Sequence, residues 1–249
     1  MYAGGGSPRV LPDPWYCPRL VVMLRQFLQP RVLWAPRDSG WWIASTFIVG
    51  SVLFGLGAAF PLISGFPVEV INLVYLAGSS LYLIGASVQF VQGRRMKIND
   101  RGDAAAVRRF ANRNSRAAAI QAFGAILFQT SMTGALINSL NVAQQERVIW
   151  APDLVGAICF VTASTIFFTL RYPIQQRRDN RQSARFLALL NIIGSAFFVL
   201  SAIGAYIVPL TDQSLYPEVA NIGTFVGAIF FFVSSIPGLP PREKVTTAG

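Results

Sequence analysis

Charge is scarce in this chain: 13% of its 249 residues are Asp, Glu, Lys or Arg, against about 25% in an ordinary water-soluble domain. Histidine is absent. Its absence excludes imidazole acid–base catalysis, histidine proton relays and the commonest transition-metal ligand. Cys17 and Cys159 are the only cysteines. One falls in a terminal segment and the other inside an apolar run, so no disulfide framework is expected. There is no Gly-x-Ser-x-Gly elbow, phosphate loop, dinucleotide fingerprint or metal-binding cluster. The expectation is a non-enzymatic protein with no catalytic residue, cofactor or metal. Residues 1–18, rich in Gly and Pro, also lack the charged start, apolar middle and cleavage site of a signal peptide.

What the chain has instead is long uncharged runs, over 39–68, 70–93, 117–145, 154–170, 186–211 and 219–241. About 20 apolar residues cross a bilayer as a helix, and backbone groups in lipid must be satisfied within the helix itself. The runs therefore predict an all-α integral membrane bundle of six transmembrane helices, near 41–63, 69–92, 116–139, 148–170, 185–208 and 218–236. A soluble bundle would need polar helix faces that these runs lack.

The basic residues are sorted. Every one of the 21 Lys and Arg except Arg147 lies in 1–40, 93–116, 171–185 or the C-terminal tail. Positive loops stay cytoplasmic, which predicts a multi-pass cell-membrane protein with its N-terminus and C-terminus both cytoplasmic. Its segments are a cytoplasmic N-terminal segment (1–40), hairpin 1 (41–92), a basic loop (93–115), hairpin 2 (116–170), a second basic loop (171–184), hairpin 3 (185–237) and a tail (238–249). The net charge of +10 follows from this sorting, so no nucleic-acid partner is inferred. The expected partners are the lipid bilayer, with anionic lipids at the basic loops, and a membrane-protein partner or a second copy. Leu20, Met23, Leu24, Phe27 and Leu28 share one helical face, and Pro30 follows. They predict a short amphipathic N-terminal helix on the membrane surface or packed under the bundle.

Each run carries the same signature: Gly, then Ser or Ala, then Phe or Tyr four residues after the Gly. The six are Gly50-Ser51…Phe54, Gly78-Ser79…Tyr82, Gly124-Ala125…Phe128, Gly156-Ala157…Phe160, Gly194-Ser195…Phe198 and Gly227-Ala228…Phe231. Their spacing, 74 and 70 residues between odd helices and 78 and 71 between even ones, points to three tandem hairpins. Small residues let helix backbones approach, and the ring one turn later fills the adjacent groove. A ligand pathway lined by these small residues is the alternative use.

Glu69, Asp153 and Glu218 follow prolines at the outward ends of even helices. Acids there complement the helix dipole, and acids near a bilayer also bind cations or protons. Asn72, Asn191 and Asn221 are polar within runs. Their ordinary use is interhelical hydrogen bonding, and their convergence would make a solute site. These six residues form the candidate polar site. Arg31-Val32-Leu33-Trp34-Ala35-Pro36 and Arg147-Val148-Ile149-Trp150-Ala151-Pro152 match closely but fall outside the hairpin alignment and at opposite ends of the bundle. Interfacial anchoring is the reading available for both.

The hairpins, clearest in Val49-Gly50-Ser51-Val52-Leu53-Phe54 and Ala77-Gly78-Ser79-Ser80-Leu81-Tyr82, resemble the YrhK-like group of bacterial membrane proteins. The resemblance implies a multi-pass membrane fold and brings no activity or site residues with it. The leading functional expectation is a structural, lipid-contacting or partner-binding role. The alternative is a facilitative transporter or channel for a small solute.

Overall fold

A computed structural model describes residues 29–63, 65–95, 104–170, 178–211 and 213–242. The expected amphipathic N-terminal helix lies almost wholly outside them. The described chain is helical, with six long helices: α1 (Ser39–Ile63), α2 (Val68–Arg95), α3 (Ala104–Gly134), α4 (Val142–Phe168), α5 (Arg178–Gly204) and α6 (Pro217–Ser235). A two-residue ribbon, β1 (Ile207–Val208) with β2 (Gln213–Ser214), joins α5 to α6. Five helices are long and apolar enough to cross a membrane. The exception is α3, whose uncharged part is interrupted by Gln121, Gln129, Thr130, Ser131 and Thr133.

Local chemistry sets several boundaries. Asp38 caps α1, its Oδ1 accepting from the Gly40 N–H at 2.7 Å. Gly65, with φ +93°, turns the chain before Pro67 and α2. Asn141 and Gln144 form a reciprocal capping box at the start of α4. Within α4, Glu146–Trp150 is a π-turn and the helix continues from Ala151. A helical proline loses a hydrogen bond and presses on the carbonyl one turn back. The wider turn directly before Pro152 is where the ladder absorbs this.

Each helix packs on its neighbours in sequence, and α6 returns to α1, which closes a ring. Within the pairs α1–α2, α3–α4 and α5–α6 the signature glycines meet. A Cβ placed on Gly78 would lie 3.3 Å from the Gly50 carbonyl oxygen, one on Gly156 would lie 3.0 Å from that of Gly124, and one on Gly227 would lie 2.9 Å from that of Gly194. The six signature rings fill the centre. Phe54, Phe128 and Phe198 form one triangle with centroids 5.9–6.4 Å apart. Tyr82, Phe160 and Phe231 form a second, at 5.8–6.1 Å. Paired rings of the two triangles sit 5.2–5.4 Å apart. Because the paired helices run antiparallel, a ring one turn after its glycine shifts toward the hairpin turns in odd helices and toward the chain termini in even ones. Two stacked layers follow.

The outside of the bundle is apolar. Val52, Ile84, Ile126, Ile158, Leu200 and Ile229, one from each helix, are 44–50% exposed. In water such a surface would aggregate, whereas against lipid it needs no cover.

Candidate functional site

Above the upper aromatic triangle, at the end carrying the hairpin turns, lies a cavity of about 420 Å³. Phe54, Phe128 and Phe198 form its floor, and all six helices and the β1–β2 ribbon reach its wall. The polar lining includes Asn72, Tyr75, Ser131, Asp153, Ser201, Asn221 and Thr224. Among the described residues, Asp153 is the single charged residue on the wall.

The structure sorts the six candidate residues. Asn72, Asp153 and Asn221 converge on the cavity. Glu69 and Glu218 lie outside it, exposed in the first turns of α2 and α6, where helix-start chemistry accounts for them. Asn191 lies on the other side of the aromatic layers, its Oδ1 accepting from Ser234 Oγ at 2.8 Å. Asp153 does not belong with the other two acids. Its helix begins at Val142 rather than at Pro152, so Asp153 is three turns inside the rod.

Counting from the glycines would have separated them. Glu69 and Glu218 precede their glycines by nine residues, whereas Asp153 precedes Gly156 by three, a difference of about 9 Å along a helix. At three residues before the glycine stand Tyr75, Asp153 and Thr224, and at six stand Asn72, Trp150 and Asn221. At seven residues after the odd-helix glycines stand Gly57, Ser131 and Ser201. Eight of these nine line the cavity. The ninth, Gly57, makes room for the Tyr75 ring, which a Cβ there would meet at 2.9 Å. Sequence reasoning passed over Tyr75, Ser131, Ser201 and Thr224, each an ordinary membrane-helix residue when viewed alone, and read Trp150 as an interfacial anchor.

Most wall donors are already engaged. Asn72 Nδ2 donates to the Ala135 carbonyl at 2.8 Å, and Trp150 Nε1 donates to that of Ala202 at 2.8 Å. Ser201 Oγ donates to the Ala220 carbonyl at 2.7 Å and shares a 2.7 Å hydrogen bond with Thr224 Oγ1. A hydroxyl carries one proton. With the Ser201 proton on Ala220, Thr224 donates to Ser201.

The Asp153 carboxylate and the Ser131 hydroxyl are among the wall groups that stay open. Among the described residues, no hydrogen-bond or ion-pair partner meets the Asp153 carboxylate. Ser131 is fully buried and its Oγ has no partner. Beside the cavity, Tyr206 packs edge-on against Trp150 at 5.0 Å and hydrogen-bonds Glu146, which raises its phenol above the ordinary range. No three His, Cys, Asp or Glu side chains gather as a metal-ligand set among the described residues. The chain matches no protein-family model, no curated protein and no solved structure, so the reading of this site stands on its own geometry.

Proposed function

We propose that the chain is a non-enzymatic, six-span cell-membrane protein built from three tandem hairpins, with both termini cytoplasmic, which binds a small solute from the outer side. The observation that carries the solute reading is the cavity of about 420 Å³, floored by three phenylalanines and edged by the hairpin turns. That volume falls within the roughly 300–1,000 Å³ of small-molecule sites. Crossing by α3 is supported by its closure of the ring between α2 and α4 and by the exposed Phe123 and Ile126. The recurring glycine contacts support the tandem hairpins, and the basic loops support the orientation.

A lipid-contacting role is favoured by a second feature, an apolar groove of about 260 Å³ between α1 and α6, lined by Gly55, Ala59 and Phe225 among others. Its apolar lining suits an acyl chain.

Cysteine accessibility tests both orientation and solute access. In a background lacking Cys17 and Cys159, Gln213→Cys should react with a membrane-impermeant maleimide on intact cells. Gln92→Cys should react only after permeabilisation, and the reverse pattern overturns the orientation. Ala135→Cys, on the cavity wall, should also react from outside. If it reacts from neither side, the solute-binding reading fails.

A further inference from the structure

We infer that the cavity is a site for a small organic cation, an ammonium in particular, with Asp153 as its counter-ion. This rests on the solute-binding reading above and goes further by naming the ligand's chemistry.

Charge comes first. Among the described residues the wall carries one carboxylate and no Lys or Arg, so Asp153 faces the space without a cation from any of them. A carboxylate among membrane helices ordinarily pairs or marks a ligand pathway. Among the described residues, the other charged ones around the hairpin turns are Glu69, Glu146 and Glu218 against the single Arg147, a field that draws cations toward the mouth.

Donor accounting points the same way. Trp150, Ser201 and Thr224 spend their single protons on the protein, and no side chain among the described residues donates to Asp153, so a ligand meeting Asp153 brings its own N–H donor and positive charge. Ser131 supplies the independent mark of an occupant: a buried hydroxyl on the wall with no partner, a costly arrangement unless something binds there.

The aromatic surfaces select among cations. Phe54, Phe128 and Phe198 form the floor, and Tyr75 and Trp150 stand in the wall. Aromatic faces hold alkylammonium groups by cation–π attraction. A hard metal ion wants six or more oxygens in a tight shell. One carboxylate in about 420 Å³ does not provide that, while the volume suits an ammonium with an organic body.

The test uses the full chain in lipid nanodiscs and three probes of one shape: phenethylammonium, 2-phenylethanol and phenylacetate. Calorimetric titration should show the ammonium binding about tenfold or more tightly than the alcohol, the ordinary loss when a hydrogen bond to a charged group is removed. The anion should bind no better than the alcohol. Asp153→Asn should erase the difference, Asp153→Glu should restore part of it, and Glu218→Gln should leave it intact. The wild-type comparison of ammonium with alcohol needs no variant, so a poorly folding Asp153→Asn does not rescue the idea. Equal binding of ammonium and alcohol overturns the cation assignment while solute binding stands. Binding of none of the three overturns the assignment, and Ala135→Cys labelling then shows whether solute access falls with it.

Discussion

A single methyl group decides the outcome at the helix seams. On Gly124 it would lie 2.9 Å from Cys159 Cβ and the Phe160 ring and 3.0 Å from the Gly156 carbonyl oxygen. On Gly55 it would meet only Ala228 and Phe225, at 3.9 and 4.0 Å. Alanine is the better helix former by roughly 1 kcal/mol, so propensity alone would make both substitutions stabilising. Packing reverses the sign at one of them. Gly124→Ala should destabilise by about 1–3 kcal/mol, the ordinary cost of overpacking, whereas Gly55→Ala should be neutral or slightly stabilising. Unfolding of the two variants side by side in the same detergent checks this. Equal behaviour would mean that the glycine contacts do not set the helix spacing.

At the scale of elements, the two matching segments act differently. Arg31 lies beside the chain's exit from α6, its Nη1 donating to the carbonyls of Pro237 at 3.2 Å and Leu239 at 2.9 Å. Val32 N–H donates to Pro240 O at 2.9 Å and Arg242 N–H to Pro30 O at 3.1 Å. The segment before α1 and the segment after α6 thus form a short clasp, backed by Trp41 against Leu239. The second copy enters α4, where Trp150 bonds to α5. Arg31→Ala should loosen the clasp, and trypsin should then cut after Arg242 several-fold faster while the helices stay intact. An unchanged cleavage rate would deny the clasp its role.

Legibility in the sequence follows the same division. Helix positions were readable because uncharged runs and glycine–aromatic spacing are strong periodic signals. The early start of α4 was not, because Pro152 reads as a helix beginning, while the Asn141–Gln144 box that makes the real one sits in a polar turn. Residue type alone places Asn191 with Asn72 and Asn221, because it says nothing about depth. Depth comes from helix direction: Asn191 precedes its glycine on an odd helix and therefore falls on the terminal side. The β1–β2 ribbon, two residues per strand, is too short to leave a pattern.

For the whole molecule, the two aromatic layers decide what crosses it. The cavity ends on Phe54, Phe128 and Phe198, and a second triangle lies directly beneath. In proteoliposomes the wild-type chain should therefore not conduct small solutes passively in this conformation. The double variant Phe198→Ala/Phe231→Ala removes facing rings from both layers and should raise leakage well above the wild-type level, measured by release of an entrapped small dye. Each ring also packs against several others, so large-to-small replacement should cost about 3–5 kcal/mol. Retention of the folded species on gel filtration therefore has to accompany any leak. A wild-type leak of the same size would mean that the layers are not a barrier.

The clasp has one more consequence. It brings the described ends of the chain to hydrogen-bonding distance beside the seam where α6 meets α1, the one contact in the ring that no covalent loop spans. The bundle is thus a closed circle interrupted only in its covalent path. Neighbouring chain ends are the condition under which circular permutation is tolerated. A gene that joins residue 242 to residue 30 and opens the chain between α2 and α3 would encode the same six-membered circle, begun one hairpin later.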